Sequence, residues 1–357
     1  MITISLCMIV KNEEAVLERC LKSARDIADE IVIVDTGSND DTVSIAKEFT
    51  EQVYPFEWQD DFSAARNFSF SKATKEYILW LDADDVIDEE NRERFIKIKE
   101  TLSPDTDAVM LPYYTAFDQL GKPVFTYFRE RIVRREKEFL WKEPVHEHLA
   151  ISGNIKQLDA AVSHKPGERH HSHSDRNLRI YRNRLEAGDE LSTRGMFYFA
   201  RELKTHNVFD EAIAQYEKVL LKPDIWVEDA ISACADLADC YLGIGLENKA
   251  LETLFASFTR DLPRAETLCK IGAIYIRKKM YPKAVFWYSL ALEVPKPNGW
   301  GFTFQDYWDY IPHMQLCMLY DRTGNREKAL DHHMAAKELR PDSPAVAYND
   351  KYFSEQK

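Results

Sequence analysis

The sequence lacks any long apolar run. Nothing in its 357 residues approaches the ~20 consecutive apolar residues of a membrane span, so no transmembrane segment is expected. Met1-Ile2-Thr3-Ile4-Ser5-Leu6 runs directly into strand-like sequence with no basic stretch before it, which argues against a secretory signal. Cysteine is scarce: Cys7, Cys20, Cys234, Cys240, Cys269 and Cys317 are scattered, and no CxxC pair occurs. That fits free thiols in a reducing cytoplasm better than a disulfide framework or a zinc site. Basic residues are the minority, 47 Lys and Arg against 60 Asp and Glu, for a formal charge of -13. No nucleic-acid partner is expected from that balance. Glycine is sparse too, and no Gly-rich loop precedes a lysine, which removes the main phosphate-loop signature of a nucleotidyltransferase.

What is present is enough for a sizeable core: 45% hydrophobic residues, 12% of all residues being aromatic. At about 100–200 residues per domain, two domains are expected, here 1–185 and 190–357. Tyr77-Ile78-Leu79-Trp80-Leu81-Asp82-Ala83-Asp84-Asp85 is the most telling stretch, an apolar strand ending in three carboxylates. Acids at a strand's C-terminal end suit a bound cation, because open α/β sheets bind ligands there. The alternative is a solvated helix start, since Asp also caps helices.

Ile2–Val10 and Ile31–Val34 read as buried strands, each followed by a helical pattern, about 15–26 and 43–49. Successive βα units predict a parallel sheet. Asp35 stands at the tip of the second strand, where its carboxylate suits a base or ribose; Asp35 to Asp41 also reads as plain turn-and-cap chemistry. A short third strand is expected near 51–56, then a helix opening at Asp61. Arg66 on that helix suits a phosphate or, alternatively, a surface ion pair.

Met8-Ile9-Val10-Lys11-Asn12-Glu13-Glu14, Asp35-Thr36-Gly37-Ser38, Phe62-Ser63-Ala64-Ala65-Arg66-Asn67 and Leu81-Asp82-Ala83-Asp84-Asp85 occur in that order. Together they resemble the family 2 glycosyltransferases, whose nucleotide-sugar-binding α/β fold is called GT-A. The resemblance implies that Val10, Asn12, Glu13, Asp35, Arg66, Asp82 and Ala83 line the nucleotide-sugar site. It implies that Asp82 and Asp84 form the DxD pair on a divalent cation, Mg²⁺ or Mn²⁺, with Asp85 auxiliary. In Trp141-Lys142-Glu143-Pro144-Val145-His146-Glu147-His148-Leu149 it implies a catalytic base, Glu147 or else Glu143, and a third metal contact, His146. Neighbours on a regular strand face opposite ways, so His148 stands as the alternative to His146. A surface His/Glu cluster is the plainer reading. Ser163 to His173, with His164, His170, His171 and His173, reads as a loop closing over the donor or as a linker.

From about Ser174 the sequence shows helical periodicity and no further strands. Ala212, Ala250, Ala284 and Ala329 recur at intervals of 38, 34 and 45 residues. This resembles about four tetratricopeptide repeats, the third interval lengthened by an insert from Pro295 to Phe302. The aromatic residues Trp300, Phe302, Phe304, Tyr307, Trp308 and Tyr310 either pack as an insert on the catalytic domain or offer an acceptor platform.

The expected architecture is thus an α/β GT-A domain followed by an all-α tetratricopeptide-like domain. The combination resembles the transferases that glycosylate bacteriocin peptides. It implies an inverting, metal-dependent, cytoplasmic glycosyltransferase moving a sugar from a UDP-sugar to Ser, Thr or Cys of a peptide or protein held by the repeats. A homodimer through repeat edges is an option. The competing readings are a polysaccharide or lipid-linked oligosaccharide transferase, and an inactive peptide-binding scaffold.

Overall fold

A computed structural model describes residues 1–167, 175–296 and 299–355. The chain divides into two compact units, one made of Met1–Phe117 and Phe125–Gly188, the other of Asp118–Val124 and the chain from Asp189 on.

The first unit contains β1 (Ile4–Val10), α1 (Leu17–Ala24), β2 (Glu30–Asp35), α2 (Thr42–Lys47), β3 (Val53–Pro55), α3 (Phe62–Lys72), β4 (Tyr77–Trp80), β5 (Asp85–Val86) and α4 (Glu89–Thr101). There follow β6 (Ala108–Phe117), β7 (Pro123–Arg134), β8 (Trp141–Lys142), β9 (His148–Leu149), β10 (Ile155–Gln157), β11 (Val162–His164) and α5 (Arg176–Glu186). The sheet order is β3-β2-β1-β4-β7-β6-β11-β5, with β10 also on β6. β1, β2, β3 and β4 run parallel, as the βα succession requires, and β7 enters antiparallel to β4. β8 and β9 form a separate antiparallel pair.

β1 and β4 are buried almost throughout, the pattern of central strands covered on both faces. Leu17, Cys20, Leu21 and Ala24 of α1 recur at helical spacing and are buried against this sheet. Asp61 and Asp88 cap α3 and α4, accepting from the Ala64 and Asn91 amides. The cap ahead of α2 comes from Asp40, whose carboxylate accepts from Thr42 N–H at 3.0 Å.

The Ser163–His173 loop is corrected at its start. Ser163 and His164 lie in β11, paired with Val86 and Asp85 of β5. His170, His171 and His173 lie outside the described residues.

The second unit is helical: α6 (Thr193–Thr205), α7 (Phe209–Leu220), α8 (Val227–Gly243), α9 (Glu247–Ala256), α10 (Ala265–Arg277) and α11 (Tyr281–Ala291), then α12 (Tyr310–Arg322), α13 (Arg326–Leu339) and α14 (Pro344–Glu355). A two-residue strand, Thr303–Phe304, interrupts the expected run of helices. The repeated alanines 212, 250, 284 and 329 are fully buried, letting paired helices approach closely. Asp236 and Asp239 of α8 tie neighbouring helices together: Asp236 takes Arg201 and Lys204 from α6, and Asp239 takes Lys204 and Lys270 of α10. The aromatic insert divides in two. Trp308 is buried and Tyr307 packs on the α10–α12 core, whereas Trp300 and Phe304 are exposed.

Gly272 marks the tightest helix approach. A methyl group there would come within 2.6 Å of Cε2 of Tyr288, itself 3% exposed. Gly272→Ala would gain about 1 kcal/mol of helix propensity, but overpacking costs about 1–3 kcal/mol. We expect a net loss of stability, read as a lower urea midpoint; an unchanged or higher midpoint would contradict this packing.

Candidate active site

The acids after β4 occupy two different environments. Asp85, in β5, is fully buried. Its Oδ2 meets Arg131 Nη1 at 2.9 Å and accepts from the Asp82 amide at 3.0 Å, while Oδ1 accepts from Tyr113 Oη at 2.8 Å. Arg131 is equally buried, and its guanidinium lies between the Trp80 and Tyr113 rings, 3.9 and 4.4 Å from their centroids. Those ring faces are partners for a cation that hydrogen bonds only through Nη1 among the described residues. Burial pushes the Asp85 carboxyl up against the pull of Arg131. Its role is to brace the acidic turn.

Asp84 faces His164 across the β5–β11 pair, Oδ1 lying 3.3 Å from Nδ1. Ligand atoms of Asp84, Asp85 and His164 all lie within 4.8 Å of one another, forming the one group of this kind among the described residues. Burial alone would lower the His164 pKa, but the nearby Asp84, Asp85 and Asp82 carboxylates raise it above the ordinary value. A site that draws a proton onto imidazole this way also suits a cation. The mixed carboxylate and imidazole set fits a divalent ion. Asp84 and His164 are the better ligands, because Asp85 already serves Arg131, Tyr113 and a backbone amide.

Asp82 turns toward Arg66. Arg66 Nη2 meets Asp82 Oδ1 at 2.7 Å, and its Nε meets Glu147 Oε1 at 2.7 Å. The guanidinium also lies against Trp80 and Trp141, 4.9 and 4.8 Å from the ring centroids. Burial opposes ionisation of Asp82, yet Arg66, Arg131 and Arg129 hold its carboxyl down at about 2. One buried cation thus joins the Asp82–Asp85 turn to the Glu143–His148 segment, 81 residues apart in sequence for Arg66 and Glu147.

That second segment is not a regular strand. It is the loop between β8 and β9, and Glu143 and His146 have φ of 75° and 55°. Strand alternation therefore places no limit on His146 and Glu147. The first turns of α3 hold the loop: Phe62 N–H donates to Pro144 O, Ser63 Oγ to Glu143 O, and Asn67 exchanges two hydrogen bonds with the Trp141 backbone. This explains the Phe62-Ser63-Ala64-Ala65-Arg66-Asn67 motif, whose polar groups secure the loop carrying Glu147.

At the ends of the neighbouring strands, the loop after β1 is joined to the loop after β2. Asn12 N–H donates to Ser38 Oγ, Asn39 N–H to Asn12 Oδ1, and Glu13 N–H to Thr42 Oγ1. Asp35 accepts from the Gly37 and Ser38 amides at 3.1 Å, the turn chemistry that stood as the alternative to a nucleotide contact, and Gly37 takes φ 98°. Val10 and Ala83 are buried in the core beside these loops.

Residues 5–150 match the family model described as Glycosyl transferase family 2. The first unit carries a glycosyl transferase family 2 domain. Its sheet and the helices beyond it give the GT-A-like and tetratricopeptide-like architecture expected. The family match ends before His164, so that residue joins the acidic turn from outside the matched segment. A TPR repeat-containing protein of Synechococcus elongatus is 36% identical over 147 residues, 41% of this chain and 35% of that protein. The SPbeta prophage-derived glycosyltransferase SunS of Bacillus subtilis is 30% identical over 224 residues, 60% of this chain and 53% of SunS. The chain thus spans about a third to a half of these curated relatives. The glucosyl-3-phosphoglycerate synthase of Mycobacterium tuberculosis, solved with Mg²⁺ and UDP, is 15% identical. The likeness covers 54% of this chain and 81% of that one, at a TM-score of 0.36. The fold is defined by its strand order and the family 2 match.

Among the described residues the first unit brings together Asp82, Arg66 and Glu147, and beside them Asp84, Asp85 and His164. Asp82 and His146 stand outside the cation-suited group. Sequence reasoning passed over His164 as a candidate ligand, and over Arg129 and Arg131. No spacing signal points to them, because strand pairing brings them to Asp82–Asp85. No described helix is long and apolar enough to cross a membrane, and all six cysteines are free and buried.

Proposed function

We propose that the chain is an inverting, metal-dependent glycosyltransferase that moves a sugar from a UDP-sugar to Ser, Thr or Cys of a peptide or protein acceptor in the cytoplasm. The observation that carries this reading is the linking of the Asp84–Asp85–His164 group to the Asp82–Arg66–Glu147 cluster through the Asp82 amide on Asp85, after β4 of the family 2 sheet. Asp84 and His164 would hold a Mg²⁺ or Mn²⁺ ion, with Asp85 bracing the turn. When bound, such an ion supplies positive charge for the diphosphate leaving group. Glu147 takes the proton from the acceptor hydroxyl or thiol as that group attacks the anomeric carbon. Its Oε1 is held by Arg66, and Oε2 is the oxygen with capacity for that proton. Asp35, Asn12 and Glu13 line the nucleotide end. The four helix pairs support a protein-like acceptor, since stacked repeats offer extended binding surfaces.

The test is UDP release from a panel of UDP-sugars with Mg²⁺ or Mn²⁺, in the purified chain and in Asp84→Asn. Release by the wild type, lost with a chelator and in the variant, is the expected result. No release from any UDP-sugar would remove the enzyme reading. Release that transfers only to lipid-linked or polysaccharide acceptors would remove the peptide.

A further inference from the structure

Three guanidinium groups surround the Trp80 ring: Arg131, Arg129 and Arg66, at 3.9, 4.7 and 4.9 Å from its centroid. Two are committed. Arg66 gives Nε to Glu147 and Nη2 to Asp82. Arg131 is fully buried between two rings and bound to Asp85 and Trp80 O. Arg129 differs. Among the described residues its guanidinium makes no hydrogen bond, only an ion pair from Nε to Glu130 Oε2 at 3.5 Å. Glu130 spends its other oxygen on the Leu149 amide. The Arg129 side chain is 22% exposed, against 8% for Arg66 and 0% for Arg131. It is the cation of the three that solvent and ligand can reach.

Its position follows from strand register. β4 and β7 pair Tyr77 with Arg134, Ile78 with Val133 and Leu79 with Ile132. Continued two residues past β4, that register sets Arg129 opposite Asp82, and Arg129 and Arg131 share one face of β7. Arg129 thus stands at the edge of the acidic turn, beside both Asp82 and the Glu147 loop. Its outer guanidinium donors are open to solvent and not taken up by a protein acceptor, so a ligand can engage them without breaking an existing hydrogen bond. Its planar donors match the paired oxygens of a phosphate.

We propose that Arg129 is the chain's own contact to the donor diphosphate, the role that the α3 motif by itself suggests for Arg66. The inference rests on the nucleotide-donor reading above. It assigns the two arginines different tasks: Arg66 holds the Glu147 loop to Asp82, and Arg129 binds the leaving group.

Calorimetric titration of UDP and of uridine, both with Mn²⁺, separates the possibilities in wild type, Arg129→Gln and Arg129→Lys. Arg129→Gln is expected to weaken UDP about 10–100-fold, the scale of a charge-assisted hydrogen bond, and to leave uridine unchanged. Arg129→Lys, which keeps the charge without the fork, should fall between. Equal UDP affinity in wild type and Arg129→Gln overturns the proposal. So does an equal loss for UDP and uridine, which would mark a residue that only shapes the pocket. So does a defect confined to the KM of the acceptor. A wild type that binds neither UDP nor uridine removes the donor reading itself, and this inference with it.

Discussion

Glu147→Gln is expected to lower sugar transfer by about 10²–10⁴-fold, the usual contribution of a positioned general base, while UDP affinity stays at the wild-type value. The substitution is chosen for what it keeps. Glutamine retains an oxygen that accepts from Arg66 Nε, now at 2.7 Å from Glu147 Oε1, so the β8–β9 loop stays attached to α3. Phe62, Ser63 and Asn67 hold the same loop independently of residue 147. What is lost is the ability to take a proton. The measurement is transfer rate beside UDP titration for Glu147→Gln, with Glu143→Gln in parallel. Undiminished transfer in Glu147→Gln would sink its assignment as base, and a loss confined to Glu143→Gln would move the role there.

Arg66→Met should markedly destabilise the family 2 domain. Arg66 is 7% exposed and joins Glu147, 12% exposed at its side chain, to Asp82, 35% exposed, beside Trp80 and Trp141. Removing one partner of a fully buried ion pair leaves uncompensated charge and costs about 3–5 kcal/mol; solvent at Asp82 screens part of that here, so the loss should fall below this range. Methionine fills much of the volume and can rest against the rings, so a loss on this scale would report charge rather than a cavity. The pH dependence gives a second reading. The folded protein holds the Asp82 carboxyl at about 2, below its ordinary value. Its contribution to stability is therefore present above pH ~4, where the unfolded chain is ionised, and is lost as pH falls toward 2. The difference between wild type and Arg66→Met in urea unfolding should be large at pH 7 and narrow in acid. Equal urea midpoints at pH 7 would show that the cluster does not support the fold.

Both expectations rest on contacts that cross long stretches of chain, and these separate what was legible in the residues from what was not. The strands of β1, β2 and β4 were legible because buried parallel strands need continuous apolar runs, and the sequence has them at Ile4–Val10, Ile31–Val34 and Tyr77–Trp80. The helical repeats were legible because small residues must recur where helices touch, as at Ala212, Ala250, Ala284 and Ala329. His164 was legible only as one histidine in a polar segment. It meets Asp84 because β11 pairs with β5, and nothing in its neighbours announces that pairing.

Local composition thus determined the elements, their order and the acidic turn at the end of β4. Periodicity and burial act over a few residues, and a reader of sequence sees that range. The tertiary structure alone decided the company each acid keeps. Asp85 went to a buried arginine, Asp84 to His164, and Asp82 to the arginine that also holds Glu147. Those choices depend on strand register and on the desolvation of charges at fixed distances, neither of which is a property of any single stretch of chain.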